Sequence, residues 1–261
     1  MLLAINVQNT FITLGCFRRG ELKTVTQLAT EPHHTADQYA CAIQDVLNLH
    51  HVEREQIGGT VLCSVVPALT KALRMAVEIL FHCPVVTVSA GVKTGLNMKI
   101  DNPHMLGSDL VSLAVEAVSR GKLPCVVVDL GTATTFTTVD KQGVMVGTAI
   151  APGVRLGLEA LREQAAQLPS VTLDERVPLI GKNTMDAIRS GILYGAASLT
   201  DGMIDRMREQ LGQPLTVYLT GHYAAQIAPL MREPVEAEPY LALMGLQKIW
   251  ERNKKKSPDK G

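Results

Sequence analysis

Val126-Val127-Val128-Asp129-Leu130-Gly131-Thr132-Ala133-Thr134-Thr135 runs β-branched residues into one acid, then into a glycine and small hydroxyl residues. The pattern predicts a buried strand that ends on a carboxylate and turns tightly. Gly131 lets the backbone approach a ligand closely. Thr132, Thr134 and Thr135 offer hydroxyl donors, and Asp129 can hold a cation beside negative charge. Such a turn suits a phosphate site. It suits a plain hydroxyl-rich turn equally well.

Working outward, strands are expected at residues 125–129, 134–140 and 144–150, followed by helices at 153–167 and 183–211. A strand at 217–219 and helices at 223–231 and 240–253 complete that half. The first half reads the same way. Residues 2–7, 11–17 and 21–29 form a strand meander, and Thr35 caps a helix running to Leu49. A strand at 60–66 ends before Pro67, a helix follows at 68–80, and a short strand at 85–88. Residues 91–106 lack an apolar period and read as a loop, and loops of that length are usually functional. Gly107 ends it, and Ser108 or Asp109 can cap a helix through Ser119. Gly121-Lys122-Leu123-Pro124 marks the boundary. The prediction is a duplicated α/β layout with a cleft between halves: residues 1–120, residues 121–253, and a flexible polar tail at 254–261.

The 261 residues are 46% hydrophobic and 19% charged, enough for a sizeable core. Formal net charge is zero, so no global field draws nucleic acid or an anionic membrane. No apolar run has membrane-spanning length, and no basic region precedes the apolar N-terminus as in a signal peptide. The five cysteines lack CxxC spacing and fit a reducing cytoplasm. His33-His34 and His50-His51 lack ligand spacing with a partner acid, which argues against zinc.

The chain resembles the type III pantothenate kinases over nearly its whole length. Residues 129–135 are similar to that family's second phosphate motif, and Gly107-Ser108-Asp109 to its Gly-x-Asp-Arg motif. Ser64-Val65-Val66-Pro67, residues 147–153, Asn183-Thr184 with Gly191, Thr220-Gly221, and Glu238-Pro239 with Gly245-Leu246 follow in the family's order. The resemblance implies two ribonuclease H-like domains of the hexokinase and actin-like ATPase superfamily. It implies ATP-dependent phosphorylation of pantothenate, with Asp109 as catalytic base. Asn6, Asn9, Thr10, Gly131 and Thr132 would meet ATP. Gly107, Ser108, Asp109 and Thr184 would meet pantothenate, Thr184 across a dimer interface. Asp129 would hold a monovalent cation, potassium or ammonium, and magnesium would accompany ATP. From the residues alone, Asp109 could instead be a helix cap, Asp129 a strand-end acid held by backbone amides, and Thr184 part of an ordinary cap.

Several positions depart from the family pattern. Asn6-Val7-Gln8-Asn9-Thr10-Phe11 stands where the family reads Asp-x-Gly-Asn-Thr-Asn. Asn6 removes a charge that magnesium prefers, and Gln8 adds a Cβ where backbone should approach phosphate. Leu110 replaces an arginine that could bind substrate with a charged fork. Ile100, Thr148 and His222 depart as well. The departures keep three readings open. The chain is an active kinase acting as a homodimer. It is an impaired paralogue in a heterodimer with an intact one. Or it is a regulator that has exchanged its ligand.

Overall fold

The computed structural model describes residues 1–165, 168–173 and 177–254. The expected tail from 255 onward lies outside them. The chain forms two compact units. The first comprises Met1–Leu96, Asp101–Ser119 and the segment from Leu241; the second comprises Asn97–Ile100 and Arg120–Tyr240.

In the first unit, β1 (Leu2–Val7), β2 (Phe11–Arg18) and β3 (Glu21–Ala29) form the expected antiparallel meander. Helix α1 (Ala36–Leu49) then carries the chain over to β4 (Gly59–Ser64), which pairs parallel to β1. Parallel neighbours need such a crossover. Thr35 and Gln38 cap α1 reciprocally: the Thr35 amide donates to Gln38 Oε1 at 2.8 Å and the Gln38 amide to Thr35 Oγ1 at 3.3 Å. Helix α2 (Pro67–Phe81) returns the chain to β5 (Val85–Thr87), giving the order β3-β2-β1-β4-β5. Leu3, Ile5 and Val7 pack with Ile43, Leu47, Leu69 and Leu73 on the face covered by α1 and α2.

The opposite face carries small residues at Ala4, Gly15 and Gly59. Ala4 is paired with Gly15 in the sheet. A Cβ on Gly15 would overlap Leu243, and one on Gly59 would overlap the Trp250 indole. These are the seats of α7 (Leu241–Asn253). Helix α3 (Ser108–Arg120) lies against α7 so closely that a Cβ on Gly245 would sit 2.7 Å from the Ser112 carbonyl carbon. The sequence reading placed α7 in the second half. Its buried Leu243, Leu246 and Trp250 instead complete the first unit, because that sheet presents the small residues that admit a helix.

The second unit repeats the plan. Strands β7 (Cys125–Leu130), β8 (Ala133–Val139) and β9 (Val144–Pro152) are antiparallel, and β10 (Thr216–Thr220) and β11 (Glu236–Ala237) extend the sheet parallel to β7. The order β11-β10-β7-β8-β9 is that of the first sheet read from the other edge. Strand β6 (Asn97–Met98), inside the expected 91–106 loop, adds a sixth strand beside β9. Val126, Val128 and Leu130 pack with Val154 of α4 (Val154–Gln164) and Leu193, Ala197 and Ile204 of α5 (Thr184–Leu211). The expected end of α4 at 167 falls outside the described residues. The helix expected over 223–231 is α6 (Ala224–Ile227) followed by a 3-10 turn at Ala228–Leu230, where a proline interrupts the amide ladder.

Candidate active site

In doubly wound sheets, ligands gather at the carboxyl ends of parallel strands. In the first unit those ends belong to β1 and β4. Asn6 is the fifth residue of β1, and its sheet partners are Thr13 on β2 and Cys63 on β4. Asn6 is 5% exposed, and its Oδ1 is buried without a hydrogen-bond partner. Native interiors rarely leave such an oxygen unsatisfied, which marks it as a place for an incoming donor or cation. The turn that follows closes with the Gln8 amide donating to the Phe11 carbonyl at 3.0 Å, and it presents Asn9 exposed and Thr10 half-buried.

Asp109 stands beside this strand end. Helix α3 begins at Ser108, so Asp109 lies in its first turn and is not its cap. The Leu110 amide donates to Asp109 Oδ1 at 2.8 Å, and Ser112 Oγ donates to the Asp109 carbonyl at 2.7 Å. A side chain on Gly107 would overlap Asp109 Oδ1, so only glycine leaves the carboxylate its place. Burial pushes the Asp109 carboxyl above the ordinary aspartate range, opposed by the Leu110 amide. Ser108 turns inward: its Oγ donates to the Ser64 carbonyl at 3.0 Å and accepts from the Cys63 thiol at 3.1 Å. Leu110, at the position read as an arginine of the motif, is 4% exposed.

The second unit has a matching set at the ends of β7 and β10. Asp129 is the fifth residue of β7, as Asn6 is of β1. Its partner on β8 is Thr135, the third residue there, as Thr13 is on β2. Directly paired residues share a face of the sheet, and Thr135 Oγ1 is buried without a hydrogen-bond partner. Asp129 is 6% exposed. Of the two glycines beside it, Gly221 makes room for it. A Cβ on Gly131 would lie 3.5 Å from Asp129 Oδ1, and one on Gly221, at φ +97°, would overlap that atom. Gly153 caps α4 without a side-chain hydrogen bond, and a Cβ there would lie 2.7 Å from the Thr132 carbonyl carbon. The Gly131-Thr132 turn therefore rests against the amide end of α4, where anions are favoured.

Asn6 and the residues 107–109 thus share one strand-end environment, and Asp129, Gly131 and Thr132 share another. Thr184 lies elsewhere in the sequence of elements, on α5. It is exposed at the first position of α5, while Asn183 Oδ1 supplies the cap by accepting from the Asp186 amide at 2.9 Å. Leu179, Ile180 and Met185 around it are exposed as well. The sequence reading missed the Cys63–Ser108–Ser64 chain, which links residues 45 apart and leaves no periodic trace. Gly153 and Gly221 were legible as parts of the motif set; their crowding against the β7 turn is tertiary. No group of three or more metal-ligating side chains occurs among the described residues.

A family model for type III pantothenate kinase matches residues 2–206. The chain belongs to the type III pantothenate kinase family. It is 39% identical over 254 residues to the type III pantothenate kinase of Moorella thermoacetica, covering 97% of this chain and 100% of that one. Solved structures at lower identity share the fold. A protein from Campylobacter jejuni described as a conserved Baf family transcriptional activator superposes with a TM-score of 0.61 at 17% identity, over 96% of this chain and 98% of its own. Component A of (R)-2-hydroxyglutaryl-CoA dehydratase from Acidaminococcus fermentans does so at 0.56 and 16%, over 95% of each chain. Each of the two units, with its mixed sheet of the same strand order, has the ribonuclease H-like fold.

Proposed function

We infer that the chain transfers the terminal phosphoryl group of ATP to the primary hydroxyl of pantothenate, yielding 4'-phosphopantothenate and ADP. This is the first step of coenzyme A biosynthesis. The observation that carries the reading is the identity of 39% to a pantothenate kinase along 97% of the chain. Phosphoryl transfer requires positioning, charge stabilisation and a base for the attacking hydroxyl. Asp109 is the base: its carboxylate takes the hydroxyl proton as the oxygen attacks phosphorus and ADP leaves. Burial supports the role, because a raised carboxyl is a stronger proton acceptor. Gly107 and Thr184 contact pantothenate. Asn6, Asn9, Thr10, Gly131 and Thr132 contact ATP.

The donor set around Asp129 fits a monovalent cation. It offers one buried carboxylate, and beside it on the sheet a threonine oxygen that lacks a partner. Potassium or ammonium held there would offset phosphate charge. Magnesium would arrive with ATP, and the neutral Asn6 oxygen gives it a weaker ligand than a carboxylate would. The exposed apolar Leu179, Ile180 and Met185 next to Thr184 support a homodimer that covers them. No helix among the described residues is long and apolar enough to cross a membrane. All five cysteines are unpaired, which supports a cytoplasmic setting.

The test is direct. Purified protein with ATP, magnesium, potassium or ammonium, and pantothenate should release ADP and form 4'-phosphopantothenate by mass. Product no greater than that of an Asp109→Asn variant would sink the assignment. Turnover that appears only with a second, intact family member would instead make this chain a partner subunit.

A further inference from the structure

We propose that Ser108 is a positioning residue for the Asp109 carboxylate, locked from beneath by the buried Cys63 thiol, and not a contact to substrate. The proposal rests on the kinase reading above and refines the role of this segment. A serine hydroxyl has one proton to donate. Ser108 spends it on the Ser64 carbonyl at 3.0 Å and receives the Cys63 thiol at 3.1 Å. Both partners belong to β4, whose Val61, Leu62 and Cys63 are fully buried. The first residue of α3 is thereby tied to a strand end inside the core. Asp109 is the next residue, and its freedom is limited on its other sides as well. Gly107 lies beneath Oδ1, the Leu110 amide donates to Oδ1, and Ser112 Oγ holds the Asp109 carbonyl. Burial and the Asp109 charge both raise the Cys63 thiol, so it stays protonated and able to donate at neutral pH. Cys63 is 0% exposed. It therefore cannot meet substrate itself, and its hydrogen bond goes to Ser108.

Misplacing a reacting group by about 1 Å can cost about a hundredfold in rate. Ser108→Ala should therefore lower kcat about tenfold or more while the KM for pantothenate stays within about twofold. Its kcat/KM profile should lose its acid limb at lower pH than the wild type, as a freed carboxylate gains water. Cys63→Ala should lower kcat in the same sense, and Cys63→Ser, which keeps a donor, should restore most of it. This pair remains informative if Ser108→Ala folds poorly. A raised KM with unchanged kcat in Ser108→Ala would make Ser108 a substrate contact and overturn the proposal. So would identical kinetics for Cys63→Ala and Cys63→Ser. A separate readout needs no turnover: carboxyl 13C NMR of the free protein, with Asp109→Asn assigning the signal. Ser108→Ala should move the Asp109 titration toward the ordinary range, and an unmoved titration overturns the proposal. Absence of phosphopantothenate from the wild type would refute the substrate assignment alone, leaving the NMR titration to decide the positioning role.

Discussion

Gly221 is the residue on which the second strand-end environment depends most sharply, and Gly221→Ala tests it. Its φ is +97°, a region L residues rarely adopt. Holding alanine in a left-handed conformation costs about 1–2 kcal/mol. The new Cβ would also lie 2.6 Å from the Leu130 amide nitrogen and carbonyl carbon, and would overlap Asp129 Oδ1. Backbone cannot yield as a flexible side chain does, and overpacking of this kind costs about 1–3 kcal/mol. The sum is roughly 2–5 kcal/mol. At about 2–4 °C per kcal/mol, Tm should fall by on the order of 10 °C. Gly121→Ala is the control: its φ is +74° but nothing lies within 4 Å of the added carbon, so it should lose only the conformational part. Differential scanning fluorimetry compares the two. Activity measured against potassium or ammonium concentration should show a higher half-saturating concentration for Gly221→Ala, because the Asp129 carboxylate has been displaced. Equal melting points for the two variants would refute the crowding argument. A melting loss with unchanged cation dependence would separate Asp129 from cation binding.

Four further outcomes are expected. Asp109→Asn should lower kcat by roughly 10²–10⁴, the range for a lost general base, with ATP affinity by calorimetry unchanged. Because burial raises the Asp109 carboxyl in the folded state, its ionisation opposes folding at neutral pH. The wild type therefore gains stability from this group as pH falls through the folded value, and loses it as pH rises. Asp109→Asn should melt higher than wild type at pH 7, with the gap narrowing in acid; a gap that widens in acid would contradict the sign. Gly245→Ala should lower Tm by several degrees, since its carbon would press into the Ser112 carbonyl where α7 meets α3. Thr35→Ala should cost about 1 kcal/mol by removing half of the α1 capping box, read from urea unfolding.

The repeated layout was legible because each half begins with a short apolar run and two further strand-like segments, and β1 and β3 fall at the residues expected. Thr35 announced α1 because capping is local chemistry. Strands β6 and β11 were not legible, since two residues carry no period. The allegiance of α7 was not legible either. Its apolar spacing gives a helix, but the sheet that receives it is decided by the absence of side chains at Gly15 and Gly59. At the site, the strand-end positions of Asn6 and Asp129 could be read, because a polar residue ending an apolar run has few other places to go. The inward turn of Ser108 could not, because its partners come from a strand far back in the chain.

Helix α7 also fixes an order of events. The first sheet is synthesised early, yet the helix that covers Gly15 and Gly59 follows the second unit in the chain. On the ribosome, that sheet face must wait uncovered while the entire second unit is translated. A stop codon shortly before Leu241 would therefore spare the later-made unit and cripple the earlier one.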